Sequence, residues 1–383
     1  MLRPRRKIIL RDSAIILILV LSTLVLYAVT AFLFGSFSQK RAELGKEFGE
    51  SGKQALARGD GVQAIHDLRI SLSYSPDDAY NRLLLAEALT QEKHFEEARS
   101  YFLSLLDVQP ADGFINLQLA RLARQKHDPQ QAIQYYRAAA VGNWNNAPLD
   151  ERFQVQLELA NYLLAQHYSP AAKAELLIAA ADAPATTDAY VELGDSFLEA
   201  NDPTDAVAQY ERAIKLDPKD VSAALKAGRI LYQNAQYGAA YQLLSEARRT
   251  SDLKKLSSTE ATELLTLIEN SLRIQELAVG QSLPAREREE HLLTDLTVAK
   301  QRFTVCKTKL GDTLPPAMQS LDAEWQAADP VLHHEASLND ETQDGNMTKL
   351  VFDTEDVTAK LCGPPVGDDA LLLVLANNAS AAH

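Results

Sequence analysis

The chain has few cysteines, few aromatic residues and no excess of positive charge. Two cysteines in 383 residues exclude a small disulfide-stapled scaffold and a zinc centre of four thiolates. With 38 Lys and Arg against 52 Asp and Glu, a net charge of −14, nucleic acid is excluded as a partner class, because neutralising phosphates requires a basic surface. There is no Gly-rich phosphate loop, no Gly-x-Ser-x-Gly and no His-Glu-x-x-His. Nothing therefore signals a cofactor, a catalytic serine or a catalytic metal, and the expectation is a protein without enzymatic activity. His333-His334-Glu335 is the one dense run of ligand-type side chains, and it lacks companions at metal-site spacing. What is present is 46% hydrophobic and 23% charged residues, the composition of folded protein.

The apolar content begins with one long run. Ala14 to Phe34 carries no charge and no proline. At about 1.5 Å per residue such a helix spans about 31 Å, close to the hydrocarbon thickness of a bilayer. Arg3, Arg5, Arg6, Lys7 and Arg11 precede it, against Asp12 alone. The positive-inside rule places that end in the cytoplasm and the remainder outside it, in a bacterium facing the periplasm from the inner membrane. The competing reading is a cleaved signal peptide, leaving a secreted adaptor. Val29-Thr30-Ala31 faintly fits a cleavage site, but the apolar run is long for a signal. The expected organisation is a basic terminus over 1–12, a transmembrane helix over 13–34 and a linker over 35–44.

From Gly45 the chain repeats every 34 residues, in units 45–78, 79–112, 113–146, 153–186, 187–220 and 221–254. Six extra residues, Ala147 to Arg152, separate the third from the fourth. Position 20 is always alanine: Ala64, Ala98, Ala132, Ala172, Ala206 and Ala240. Position 8 is always Gly or Ala: Gly52, Ala86, Ala120, Ala160, Gly194 and Gly228. Large residues recur at position 24, as Phe102, Tyr136, Leu176 and Tyr210. Each unit holds two apolar-periodic segments around a short polar turn, and Pro76, Pro110, Pro184 and Pro218 stop the second. A lone hairpin cannot bury its apolar face, whereas stacked neighbours can. The first unit departs most, with Ser51 where leucine is usual.

This pattern resembles the tetratricopeptide repeat family, most clearly over Thr187 to Asp220, with Tyr190, Leu193-Gly194, Phe197, Ala206, Tyr210, Ala213 and Asp217-Pro218 at the family's positions. The resemblance implies an all-α solenoid of helical hairpins and a role as a protein interaction scaffold, in a process such as envelope assembly, secretion or export. It also implies a concave groove lined by positions 2, 5, 9, 12 and 13 of each first helix. Position 5 supplies Leu83, Leu117, Leu157, Val191 and Leu225. Position 9 supplies Glu87, Arg121, Asn161, Asp195 and Arg229, and position 12 supplies Arg124 and Tyr232. An apolar floor with a wall of mixed charge suits a protein or peptide with alternating apolar anchors.

Beyond the repeats, Ser257 and Glu260 form a capping box for a helix closing the stack over 255–280. Residues 281–383 are expected to form a mainly helical region, and the alternative to a pure scaffold is an unrecognised enzymatic role for this region. Leu292, Leu296, Ala299, Phe303, Cys306 and Leu310 make one apolar stripe on a helix from Arg286 to Leu310. The stripe serves either self-association or an intramolecular partner helix. A shorter helix is expected over Ala317 to Ala328 and another over Thr348 to Leu361, with a polar stretch from Asn339 to Asn346 between them. Ala370 to Ala376 reads equally as a strand or a packed tail. Outside the cytoplasm, a Cys306–Cys362 disulfide is expected.

Overall fold

One backbone device recurs along the stack. At position 15 of every repeat the chain enters the left-handed region, at Gly59, Lys93, His127, His167, Asn201 and Ala235, with φ between 57° and 79°. Only the first of these is glycine, so the other five accept a strained conformation of about 1 kcal/mol to reverse direction within one residue. An aspartate follows in three repeats. Asp60, Asp128 and Asp202 accept hydrogen bonds from the N–H groups of Gln63, Gln131 and Asp205 and so cap the second helix. Asp78, Asp112, Thr186 and Asp220 cap first helices in the same way.

A computed structural model describes the backbone of residues 3–144, 149–251, 256–280, 283–332 and 341–381. The His333-His334-Glu335 run lies outside the described residues. Among the described residues there are seventeen helices and one isolated bridge. The chain divides into two bodies, 1–166 and 167–383. The first contains α1 (Arg3–Ala57), α2 (Gly61–Tyr74), α3 (Ala79–Gln91), α4 (Phe95–Leu106), α5 (Gly113–Gln125), α6 (Pro129–Val141) and α7 (Leu149–Ala165). The second begins with α8 (Ser169–Asp182), α9 (Thr187–Glu199), α10 (Pro203–Leu216), α11 (Val221–Gln233) and α12 (Tyr237–Thr250). The division falls inside the fourth repeat, between its two helices.

Within each hairpin the small column faces the large one. A Cβ added at Gly52 would stand 2.6 Å from Leu68, one at Gly194 2.5 Å from Tyr210, and one at Gly228 2.5 Å from Leu244. Each pair joins position 8 to position 24 of the same repeat. Ala64, Ala98, Ala132, Ala206 and Ala240 have no exposed surface. Helices joined this closely leave no room for water, and neighbouring hairpins then merge their cores. Leu84, Leu85 and Leu89 of α3 share one apolar cluster with Ile115, Leu119 and Leu122 of α5. Ser51, the odd residue of the first repeat, donates to the buried Asp67 at 2.7 Å. A polar pair thus replaces the usual leucine contact.

The expected linker over 35–44 is not a break: α1 runs through it as one helix. This stretch has no proline, and Gly35 alone does not stop a helix already flanked by two good segments. Lys40 pairs with Glu43 on the helix surface, and Arg41 donates to the Tyr74 carbonyl at 3.2 Å, tying the helix to its hairpin. Upstream, Leu17 through Phe37 expose their large apolar side chains on all sides. This segment, with an 18-residue window of mean hydropathy 2.5, is long and apolar enough to cross a membrane, as an anchor or as a signal sequence.

The second body closes with α13 (Ser258–Leu277), α14 (Ala285–Leu310), α15 (Pro316–Leu332), α16 (Glu341–Cys362) and α17 (Asp368–Ala381). Ser257 and Glu260 exchange both bonds of a capping box at the start of α13. Three expectations change here. The helix expected from Ala317 to Ala328 runs on through Pro330 to Leu332. The polar stretch before Thr348 is helical from Glu341, and the 370–376 segment is helix, not strand. The stripe on α14 is covered from within: Leu292, Leu296, Ala299, Phe303 and Cys306 pack with Met318, Leu321 and Trp325 of α15 and Leu350 and Val351 of α16. Cys306 and Cys362 are joined as a disulfide that ties α14 to the end of α16.

Two carboxyl groups are buried in this bundle. Asp295 is 3% exposed and Glu355 0%. Burial pushes both up to about 8; Arg273 opposes the shift at Asp295, and Asp369 adds to it at Glu355 against the pull of Arg302. The folded chain therefore holds these protons to about pH 8, whereas the unfolded chain releases them near pH 4. Stability must fall as pH rises through that window. Glu355→Gln should flatten this decline and raise Tm at pH 8 by about 3 °C or more. Parallel melting-temperature curves for variant and parent would refute the assignment. Gly194→Leu should lower Tm sharply, at a cost of about 3 kcal/mol, because the new side chain meets the Tyr210 ring.

Candidate functional site

The third repeat carries a feature the others lack. After α6 the chain turns back along the start of α5. The Asn143 N–H donates to the Ala111 carbonyl at 2.6 Å, and the Gly113 N–H donates to the Asn143 carbonyl at 3.0 Å. This short bridge sets Trp144, whose Nε1 donates to the Ala139 carbonyl at 2.9 Å. The indole lies directly on Gly113, where an added Cβ would stand 2.4 Å from Nε1. Any larger residue at 113 evicts the ring. Beside it opens a cavity of ≈ 330 Å³, lined by Asp112, Phe114, Leu117, Arg121, Asn143, Trp144 and Glu151. Phe114, Leu117 and Arg121 are positions 2, 5 and 9 of this repeat.

One wall of the cavity is an ion-pair network. Arg121 grips Glu158 of α7 through Nε at 3.1 Å and a terminal nitrogen at 2.7 Å. Arg124 reaches the same carboxylate at 3.2 Å, and the Tyr136 hydroxyl donates to it at 2.7 Å. Burial works against ionisation of Glu158, but these bonds outweigh it and hold its carboxyl below the usual range. The Tyr136 hydroxyl is pushed up by burial and by its bond to Glu158. The second body repeats the arrangement with the polarity reversed. Lys226 pairs with Asp195 at 2.7 Å, and the Tyr210 hydroxyl donates to Asp195 at 2.6 Å. In both places position 9 of one repeat meets position 6 of the next, and the position-24 tyrosine joins them.

The structure places the expected groove residues in different surroundings. Leu157 and Leu225 are at most 4% exposed and act as packing residues, whereas Leu117, 5% exposed, also lines the cavity. Leu225 lies against Leu264 and Ile268 of α13. Leu83 and Val191 are half-buried. Arg121, Arg124, Asp195 and Arg229 are engaged across repeats, Arg229 with Glu263. Asn161 is exposed, and Tyr232 meets Tyr237 edge-on with ring centres 5.2 Å apart. Glu87 is half-buried, and burial alone pushes its carboxyl up. Sequence reasoning missed Trp144 and Glu158. Trp144 is at position 32 of its repeat, which is no groove position, although the six-residue insertion that follows shortly after it was a signal. Glu158 sits at position 6, which faces the neighbouring repeat.

Profiles of the tetratricopeptide repeat match residues 55–122 and 191–253. The chain carries tetratricopeptide repeats. Such repeats make it a protein–protein interaction scaffold at the general level. Among similar solved structures are the C-terminal part of a TPR protein from Cytophaga hutchinsonii (12% identity, 64% of this chain and 92% of that one, TM-score 0.46) and a tetratricopeptide repeat protein from Parabacteroides merdae (13%, 68% and 93%, TM-score 0.38). A third is PilW, a type IV pilus biogenesis factor (19%, 61% and 98%, TM-score 0.36). These likenesses concern the repeat fold. No curated protein matches the sequence.

Two outcomes test this TPR site. Glu158→Gln should cost about 1–3 kcal/mol at neutral pH. The stabilisation from a depressed carboxyl is present above about pH 4.3 and lost as pH falls through its lower folded value, so variant and parent should converge in acid. Denaturant melts across pH check this. Gly113→Val should shift Trp144 emission to the red in a Trp325→Phe background; unchanged emission would mean the indole does not sit on Gly113.

Proposed function

We propose that this chain is a membrane-anchored scaffold whose repeats stand outside the cytoplasm and take a segment of a protein partner at the cavity beside Trp144. The observation that carries the anchor is α1, which passes without a break from an apolar stretch with no protein cover into the first repeat. A helix with this side-chain exposure is stable only where lipid supplies the burial. The basic residues at 3–11 favour a cytoplasmic N-terminus. The disulfide between α14 and α16 favours an oxidising compartment for the second body. In a bacterium these together favour the inner membrane facing the periplasm. The cavity favours a side-chain anchor, because it places Phe114 and Trp144 around a space sized for one or two residues.

Helix continuity adds a mechanical consequence. The first repeat shares its first helix with the anchor, so the first body is held near the membrane and does not swing on a tether. Partners reach the first body within a short distance of the bilayer.

Two measurements test the reading. Thiol-reactive polyethylene glycol applied to intact cells carrying Val141→Cys should label the protein if the repeats lie outside, and alkaline carbonate should leave it in the membrane fraction. A soluble extracytoplasmic product starting near Ala31 would replace the anchor with a cleaved signal. A photoreactive residue at Phe114 should crosslink one protein in living cells. Trp144→Ala should weaken that yield about tenfold, whereas a photoreactive residue at Val62 should give none of it. Equal yields from both positions would remove the cavity from the account.

A further inference from the structure

The charges along position 9 of the repeats are almost all matched. Lys53 lies over the Tyr80 ring at 5.5 Å, Arg121 binds Glu158, Asp195 binds Lys226 and Arg229 binds Glu263. Glu87 is the exception among the described residues. The residue that would face it at position 6 of the next repeat is Gln118, which carries no charge. Burial is the cause of the upward shift of the Glu87 carboxyl, and among the described residues it takes part in no ion pair or side-chain hydrogen bond. A half-buried carboxylate without a partner is costly, and a cation arriving from outside recovers that cost.

Glu87 sits on α3, next in the stack to α5, with which α3 shares its core. The cavity beside Trp144 opens from α5 and has Asp112 and Glu151 on its rim. Its arginine is already bound by Glu158, and so is Arg124. Among the described residues, this part of the first body therefore offers one unpaired, half-buried carboxylate on α3 and an aromatic-lined space on α5.

We propose that the first body selects a partner segment carrying a Lys or Arg side chain, which pairs with Glu87, and an aromatic or leucine-like side chain, which enters the cavity between Phe114 and Trp144. This rests on the reading of the cavity as the binding site and names the chemistry it selects. The basic group and the apolar anchor are read by successive repeats, α3 and α5. An acidic side chain opposite Glu87 is disfavoured by like-charge repulsion.

The test uses the full-length chain in detergent and a synthetic peptide array. Each twelve-residue peptide has one Phe on a Gly-Ser background and one Lys, Gln or Glu at a varied offset from it. At the best offset the Lys peptide should bind about tenfold more tightly than the Gln peptide, and the Glu peptide more weakly still. Glu87→Gln should abolish the Lys-over-Gln preference and keep the dependence on Phe. Glu87→Arg should invert the preference towards Glu. Affinity for the Lys peptide should rise with pH through the carboxylate range and then level off, because only the ionised carboxyl pairs with the cation. Circular dichroism matched to the parent certifies the fold of each variant. Phe-dependent binding that ignores the charge at every offset would overturn the proposal and leave the cavity reading standing. Binding that is insensitive to both Phe and Trp144→Ala would overturn the cavity reading as well.

Discussion

The whole stack depends on how closely the two helices of each hairpin approach. Where position 8 is glycine, the position-24 side chain occupies the space a Cβ would need. That contact fixes the distance and rotation of the hairpin, and rotation decides which residues face the next repeat. Only because the geometry recurs can position 9 of one repeat find position 6 of the next, as Arg121 finds Glu158 and Lys226 finds Asp195. The tyrosines at position 24 link the two scales. Their rings fill the hairpin core, and their hydroxyls hold the carboxylate that bridges repeats.

The two ends of the chain solve the solenoid's end problem differently. A stack of hairpins leaves an apolar face open at each terminus. At the start, the first helix is also the helix that exposes its upstream apolar side chains. At the far end, α13 covers the last hairpin through Leu264 and Ile268, then turns its other side to a bundle of the four helices α14 to α17. That bundle carries the disulfide and the buried carboxyls, so it responds to redox state and pH in ways the repeats do not.

Local patterns were legible where local physics sets the structure. The 34-residue period, the alanine and glycine columns, the capping box at Ser257 and the α14 stripe are all consequences of contacts within one helix or one hairpin. The 35–44 stretch was misread because continuity of a helix depends on what lies at both of its ends, and there the anchor and the first repeat both favour helix. The 370–376 segment resisted assignment because a run of leucines has no period, and its packing against α13 and α16 decided it. Leu157 and Leu225 are packed over rather than forming an open floor, because a family position does not reveal how far a given stack closes over it.

Sequence alone determined that this protein is a helical repeat with an apolar segment at its head, since periodicity and run length are properties of the chain itself. Tertiary structure alone decided which polar groups remain for a partner. Glu158 absorbs Arg121 and Arg124, Gly113 admits Trp144, and Glu87 is left facing an uncharged neighbour. Each of these joins residues about thirty or more positions apart, or turns on a tenth-of-a-nanometre clearance. Such pairings arise only when the repeats are stacked at their actual angle.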